Sequence, residues 1–187
     1  NDPEDKDLCN GVSSHLEEFY YLNNAGNGIV FRTPIRNNNG TTDNSDNVRC
    51  ELREREEDGD SDIYWTTTGQ HVIYTKQAIT HLPIRKDELV ATQIHGNKND
   101  GIDDAMVLRL EGNHLFLGFN YGPNELRSPV TIKTNYSLGT VHELIFQVID
   151  NKHYCYYSED GNLKNAFING NASNYLIRDG SNDYVMN

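Results

Sequence analysis

The sequence predicts an all-β fold: an antiparallel β-sandwich or jelly roll with a concave groove, formed as one domain over residues 1–187. Three observations carry that expectation. Apolar and polar residues alternate along most of the chain, the period of a half-buried strand, whereas the i, i+3, i+4 pattern of a helix is scarce. The strand-like runs are short and recur about every 8–12 residues. Between them stand turn sequences such as Asp58-Gly59, Glu111-Gly112-Asn113, Asp150-Asn151 and Asp160-Gly161-Asn162, built from residues that favour chain reversal.

In chain order, strands are expected at 17–22 and 28–33, two aromatic and β-branched runs joined through Gly26-Asn27. A polar Gly- and Asn-rich loop over 36–47 leads to a strand at 47–55, and an acidic loop over 54–62 to one at 62–67. Further alternating runs follow at 70–78, 88–96, 105–111, 114–120, 129–135, 140–149, 153–158, 163–168 and 175–178. One short helix is expected within 3–16. Alternation also assigns faces. In 47–55, Val48, Cys50 and Leu52 turn to the core, with Cys50 an inert buried thiol, and Arg49, Glu51, Arg53 and Arg55 turn away. In 88–96, Val90, Thr92 and Ile94 turn inward and Leu89, Ala91, Gln93 and His95 outward. The strand bearing Tyr154, Tyr156 and Tyr157 reads as half core and half surface.

A chain of 187 residues buries roughly 70% of its unfolded surface, so it needs no metal or disulfide to fold. It holds no apolar run of the length, about 18 residues, that spans a membrane. No basic-then-apolar leader opens it, so an exported form has already lost its signal peptide. The net charge of −12 argues against nucleic acid or an anionic membrane as partner, since both require Lys and Arg to neutralise phosphate. An anionic substrate requires a local basic cleft in an acidic shell. The 3 cysteines are too few for a disulfide framework, although Cys9 and Cys155 could pair in a secreted chain. N-x-S/T sequons stand at Asn39, Asn135 and Asn171, in a chain so rich in Asn that some arise by chance.

The chain has no HExxH, CxxC, GxSxG, phosphate-binding loop or dinucleotide fingerprint, so neither a metal nor an organic cofactor is expected. Two polar arrays remain: Arg49-x-Glu51-x-Arg53 and Gln93-x-His95. Taken singly, each reads as a salt-bridge ladder or a solvated sheet face. Taken together, Arg49-Cys50-Glu51-Leu52-Arg53-Glu54 and Gln93-Ile94-His95-Gly96, about 40 residues apart, resemble the Arg-x-Glu-Leu-Arg-Glu and Gln-Ile/Val-His segments of the family 7 polysaccharide lyases, the alginate lyases. Trp65 and the His81-Leu82-Pro83 approach between them fit as well. The family's third segment, Y-F-K-A-G-x-Y-x-Q, is echoed by residues 176–184, with Arg178 for Lys, Asp179 for Ala and extra residues before Tyr184.

The resemblance implies cleavage of alginate, a 1,4-linked uronate polymer, by β-elimination without metal or cofactor. It implies a secreted monomer whose partner is the anionic polysaccharide. Arg49, Gln93, His95 and Tyr184 would be the catalytic set. Arg49 and Gln93 neutralise the substrate carboxylate, Tyr184 protonates the leaving oxygen, and His95 or the tyrosine itself takes the C5 proton. Tyr175 and Tyr136 stand next as candidates for the Tyr role. Glu51, Arg53, Arg178 and Lys98 would serve substrate binding, with Glu51 orienting Arg49 or Arg53; Arg109 and Lys133 are further cations for a polyanion. In that family Ile at position 94 goes more with guluronate-containing chains. Two other readings stay open: a carbohydrate-binding jelly roll without catalysis, and a lyase for another polyuronate such as glucuronan.

Overall fold

A sheet with one apolar face has to bury it against a second layer. The computed structural model describes residues 18–34, 47–58, 61–97, 99, 101–102, 104–120 and 129–183, in two compact units, Asn1–Trp65 and Thr66–Asn187. In the first unit, β1 (Tyr20–Leu22) and β2 (Ile29–Phe31) form an antiparallel hairpin in which Tyr20 pairs with Phe31 and their rings meet edge to face.

The strand expected at 47–55 does not form. Among the described residues it carries a single bridge, Arg55 to Asp62, closed by their ion pair at 2.7 Å. The strand expected at 62–67 is likewise absent. Alternating residues make a strand only where a neighbouring edge completes the ladder. With no ladder here, alternation does not sort the side chains: Leu52, expected in the core, is 64% exposed. Cys50 is half-buried, its thiol donating to the Phe19 carbonyl and raised in pKa by burial. The helix expected within 3–16, Cys9 and Asn39 lie outside the described residues.

In the second unit two antiparallel sheets form. One runs β10 (Leu176–Arg178), β9 (Lys152–Ser158), β8 (Val141–Ile149), β3 (Gln70–Ala78), and the other β4 (Glu88–His95), β5 (Asp104–Glu111), β6 (His114–Phe119), β7 (Val130–Lys133). Their inner faces carry Met106, Leu108, Leu110, Leu115, Leu117, Phe119, Leu144, Phe146, Val148 and Cys155, none more than 2% exposed. Each large apolar side chain so buried contributes about 1.5–3 kcal/mol. Gln77 of β3 donates to Thr92 of β4 at 3.0 Å, linking the two sheets. Cys155 is a buried thiol within this core, free among the described residues, and its expected partner Cys9 lies outside them.

The segment read as a strand at 163–168 is a helix, α1 (Leu163–Ile168). Leu163, Ala166 and Phe167, spaced i, i+3, i+4, pack with Ala172 and Tyr175 over Ile145, Tyr74 and Tyr156 on the outer face of the first sheet. Buried Glu143 of β8 accepts the Leu163 N–H at 3.0 Å and the Tyr74 hydroxyl at 2.6 Å, which holds the start of the helix. The end is a Schellman motif: Gly170, at φ +71°, and Asn171 donate to the carbonyls of Phe167 and Ala166. A short 3₁₀ turn, Ala172–Tyr175, then leads into β10.

Candidate functional site

The outer face of the second sheet is open and polar where β4 runs beside β5. Two irregularities in that pairing decide which side chains share it. Register passes from Val90↔Arg109 to Thr92↔Leu108, so Ala91 is an extra residue and Val90 lies on the outer face, where it is 44% exposed. Strict alternation had assigned Val90 to the core; the bulge reverses it. Beyond the bulge Ile94 is buried opposite Met106, and Gln93 and His95 face outward as expected. Being turned to the core, Ile94 has no direct access to a ligand on this face.

Gln93 and His95 touch: Gln93 Nε2 stands 2.8 Å from His95 Nε2. On the other side of the ring, His95 Nδ1 lies 3.3 Å from Asp104 Oδ1. Asp104 is a residue that the sequence reading missed. It comes opposite His95 because the register skips Ala105 after Ile94↔Met106. A neighbouring depression is lined by Val90, Asp104, Val107, Arg109, Phe116 and Asn120. Arg109 is braced there by Glu88 at 3.4 Å and Glu111 at 3.5 Å. The Glu88 carboxyl is held below its usual range chiefly by the Lys86 ammonium bonded to it, against the opposing effect of burial, with Arg109 adding to the lowering.

In the first unit Glu51 stands between two guanidiniums, 3.7 Å from Arg49 Nε and 3.7 Å from an Arg53 nitrogen. That spacing lets one carboxylate orient both cations while leaving them part-exposed, at 37% and 44%. Lys98 and Tyr184 lie outside the described residues.

The other predicted participants are engaged elsewhere. Arg178, read as a substrate-binding cation, is 14% exposed and closes on Asp183 through both terminal nitrogens, at 2.9 and 2.5 Å, while also donating to the His153 carbonyl. It belongs to the packing of β10 against β9. Tyr136 is buried, its hydroxyl donating to the Thr140 carbonyl and meeting His142. Tyr175 donates to Asp160 at 2.8 Å on the helix-covered side of the first sheet. Neither tyrosine faces Gln93 and His95. Lys133 is paired with Glu159 at 2.7 Å. Of the tyrosine strand, Tyr157 turns inward beside His142 and Tyr156 lies edge to face on Phe167 under the helix.

A pair of adjacent donor and acceptor groups on an open face, with a carboxylate behind the imidazole, can hold an anionic group and move a proton beside it. The family model described as alginate lyase matches residues 1–176, a span that ends before Tyr184. Among solved structures, a truncated AlyQ with CBM32 and alginate lyase domains is 65% identical, covering 96% of this chain and 46% of that one, with a TM-score of 0.83. The alginate lyase AlgAT5 from polysaccharide lyase family 7 is 36% identical over 76% of this chain and 62% of its own, with a TM-score of 0.64. An alginate lyase from Corynebacterium sp. is 34% identical over 74% of this chain and 58% of its own, with a TM-score of 0.62. The chain thus spans less than two thirds of each of these relatives. No curated protein matches it.

Proposed function

This chain belongs to the alginate lyase family, polysaccharide lyase family 7, and from that premise we propose that it cleaves alginate by β-elimination. The observation that carries the reading is the Gln93–His95 contact on the exposed face of β4, in the segment that resembles the family's second motif.

The chemistry explains the residue types. Removing the C5 proton of a uronate builds a second negative charge on its carboxyl group. Preorganised donors that meet this charge lower the barrier, as in an oxyanion hole. The Gln93 amide and the Arg49 guanidinium are such donors, Arg49 offering a planar fork matched to a carboxylate. His95 takes the C5 proton. The electron pair moves into a C4–C5 double bond, the C4–O4 bond breaks, and Tyr184 protonates the leaving oxygen. These donors do the neutralising that a metal ion does elsewhere. Arg53 and Lys98 are the cations proposed to hold neighbouring sugars. A polymeric substrate is met outside the cell, so the proposal includes secretion, and the protein acts as a monomer.

The test is direct. The chain is incubated with polymannuronate, polyguluronate and glucuronan, and the ultraviolet absorbance of the conjugated double bond is followed. A rise on either alginate block supports the reading. A rise on glucuronan alone moves the substrate to another polyuronate, and no rise on any polymer overturns elimination.

A further inference from the structure

We propose that Asp104 is a positioning residue for His95: its carboxylate fixes the ring proton on Nδ1 and thereby makes Nε2 the basic nitrogen. The inference rests on the elimination reading above and adds to it a residue that the motifs do not contain.

The backbone is arranged to bring the two together. Regular pairing beyond Ile94↔Met106 would set Ala105 opposite His95 and turn Asp104 to the inner face. Instead the register jumps to His95↔Asp104. Bulges of this kind concentrate beside active sites, where they re-aim a side chain.

The two contacts of the ring agree on one tautomer. An amide nitrogen donates and cannot accept, so with the Gln93 amide turned as it stands, Nε2 at 2.8 Å from His95 Nε2, the ring nitrogen presents its lone pair. A neutral imidazole then keeps its proton on Nδ1, the side where Asp104 Oδ1 lies at 3.3 Å. A carboxylate in that place orients the ring and stabilises the imidazolium that forms when Nε2 accepts a proton. The substrate carboxylate, a stronger acceptor than imidazole, draws the Gln93 amide to itself and opens Nε2 to the C5 proton. That C–H bond breaks, its proton passes to Nε2, and its electron pair becomes the double bond as the C4–O4 bond breaks. The other titratable groups on this face, among the described residues, are Arg109 and Glu111 farther along β5, Glu88 at the start of β4, and His114 of β6 opposite Glu111.

The experiment measures pH profiles of kcat and kcat/KM for the wild type, Asp104→Asn and Asp104→Glu, and reads the His95 tautomer in the wild type by nitrogen NMR. Asp104→Asn should lower kcat by at least about 10- to 100-fold, the loss found when the carboxylate behind a metal-ligating imidazole is removed, with a much smaller change in KM. Its acid limb should move to lower pH, because the imidazolium has lost its counter-charge, and Asp104→Glu should recover part of the loss. The neutral wild-type ring should report the Nδ1–H form. An Nε2–H ring, or a folded Asp104→Asn enzyme with wild-type kcat and acid limb, overturns the role of Asp104 alone. A wild type that eliminates no uronate polymer overturns the proposed function itself, so the two failures are told apart.

Discussion

Arg178 lies over the ring of Phe119, its guanidinium carbon 3.5 Å from the ring centroid, while its nitrogens grip Asp183. Burial pushes the Asp183 carboxyl up, but hydrogen bonds from Arg178 and the His153 N–H outweigh it and hold the group below its usual range. Breaking such a pair leaves a charge in a poorly solvated place. Arg178→Ala is therefore expected to destabilise the fold by about 3 kcal/mol, with KM for oligosaccharide unchanged in the folded protein. Denaturant unfolding and kinetics on one sample check this; a raised KM at unchanged stability would return Arg178 to substrate binding.

Stability should fall as the medium is acidified through the range of histidine. His142 is 1% exposed; burial lowers its pKa, against smaller upward effects of the Thr140 carbonyl and Glu159. His153 is lowered too, again chiefly by burial. The unfolded chain then binds protons near its ordinary pKa of about 6.5 that the folded chain refuses. The stabilising contribution is complete above that pH and lost as pH drops toward the folded values. Unfolding midpoints measured between about pH 7.5 and 5 should decline, and His142→Leu should make the decline shallower. Equal slopes in the two proteins would show that His142 does not contribute.

Arg49→Ala should lower turnover about 100-fold or more, the usual loss for one donor to a developing charge. Its side chain is 37% exposed, so no core cavity forms and the melting temperature should stay put. Near-normal kcat in the folded variant would remove Arg49 from the reaction.

Tyr184→Phe deletes only a proton-transfer group. It should keep oligosaccharide binding, measured by calorimetry, and lose most turnover. Retained turnover would assign the acid to another residue, and neither Tyr136 nor Tyr175 is oriented for it.

Legibility of the chain followed the physics of each signal. The long ladders of β3, β5, β6 and β8 were plain in the sequence because each buries one face, and a period of 2 then leaves a clear trace. Six residues such as Leu163–Ile168 are too few to separate a strand from a helix by pattern, although Gly170 in a left-handed turn carries a helix-stop signal. Gln93-x-His95 was readable as a pair on one face. Asp104 was not, because a one-residue skip at Ala105 has no compositional mark and parity counted from β5 turns it the wrong way. Arg178 looked like a free cation because its clamp to Asp183 depends on a turn that no short motif announces.

The helix over the first sheet divides labour within the unit. Leu163, Phe167 and Tyr175 shield one flank, while Gln93, His95 and Arg109 occupy the open face of the opposite sheet. Substitutions in residues 163–175 can therefore tune thermal resistance while Gln93, His95 and Arg109 stay untouched, and an immobilising tag or surface linkage at that flank would leave their face free. Engineering for robustness and engineering for specificity can proceed as separate campaigns in this scaffold, each on its own layer.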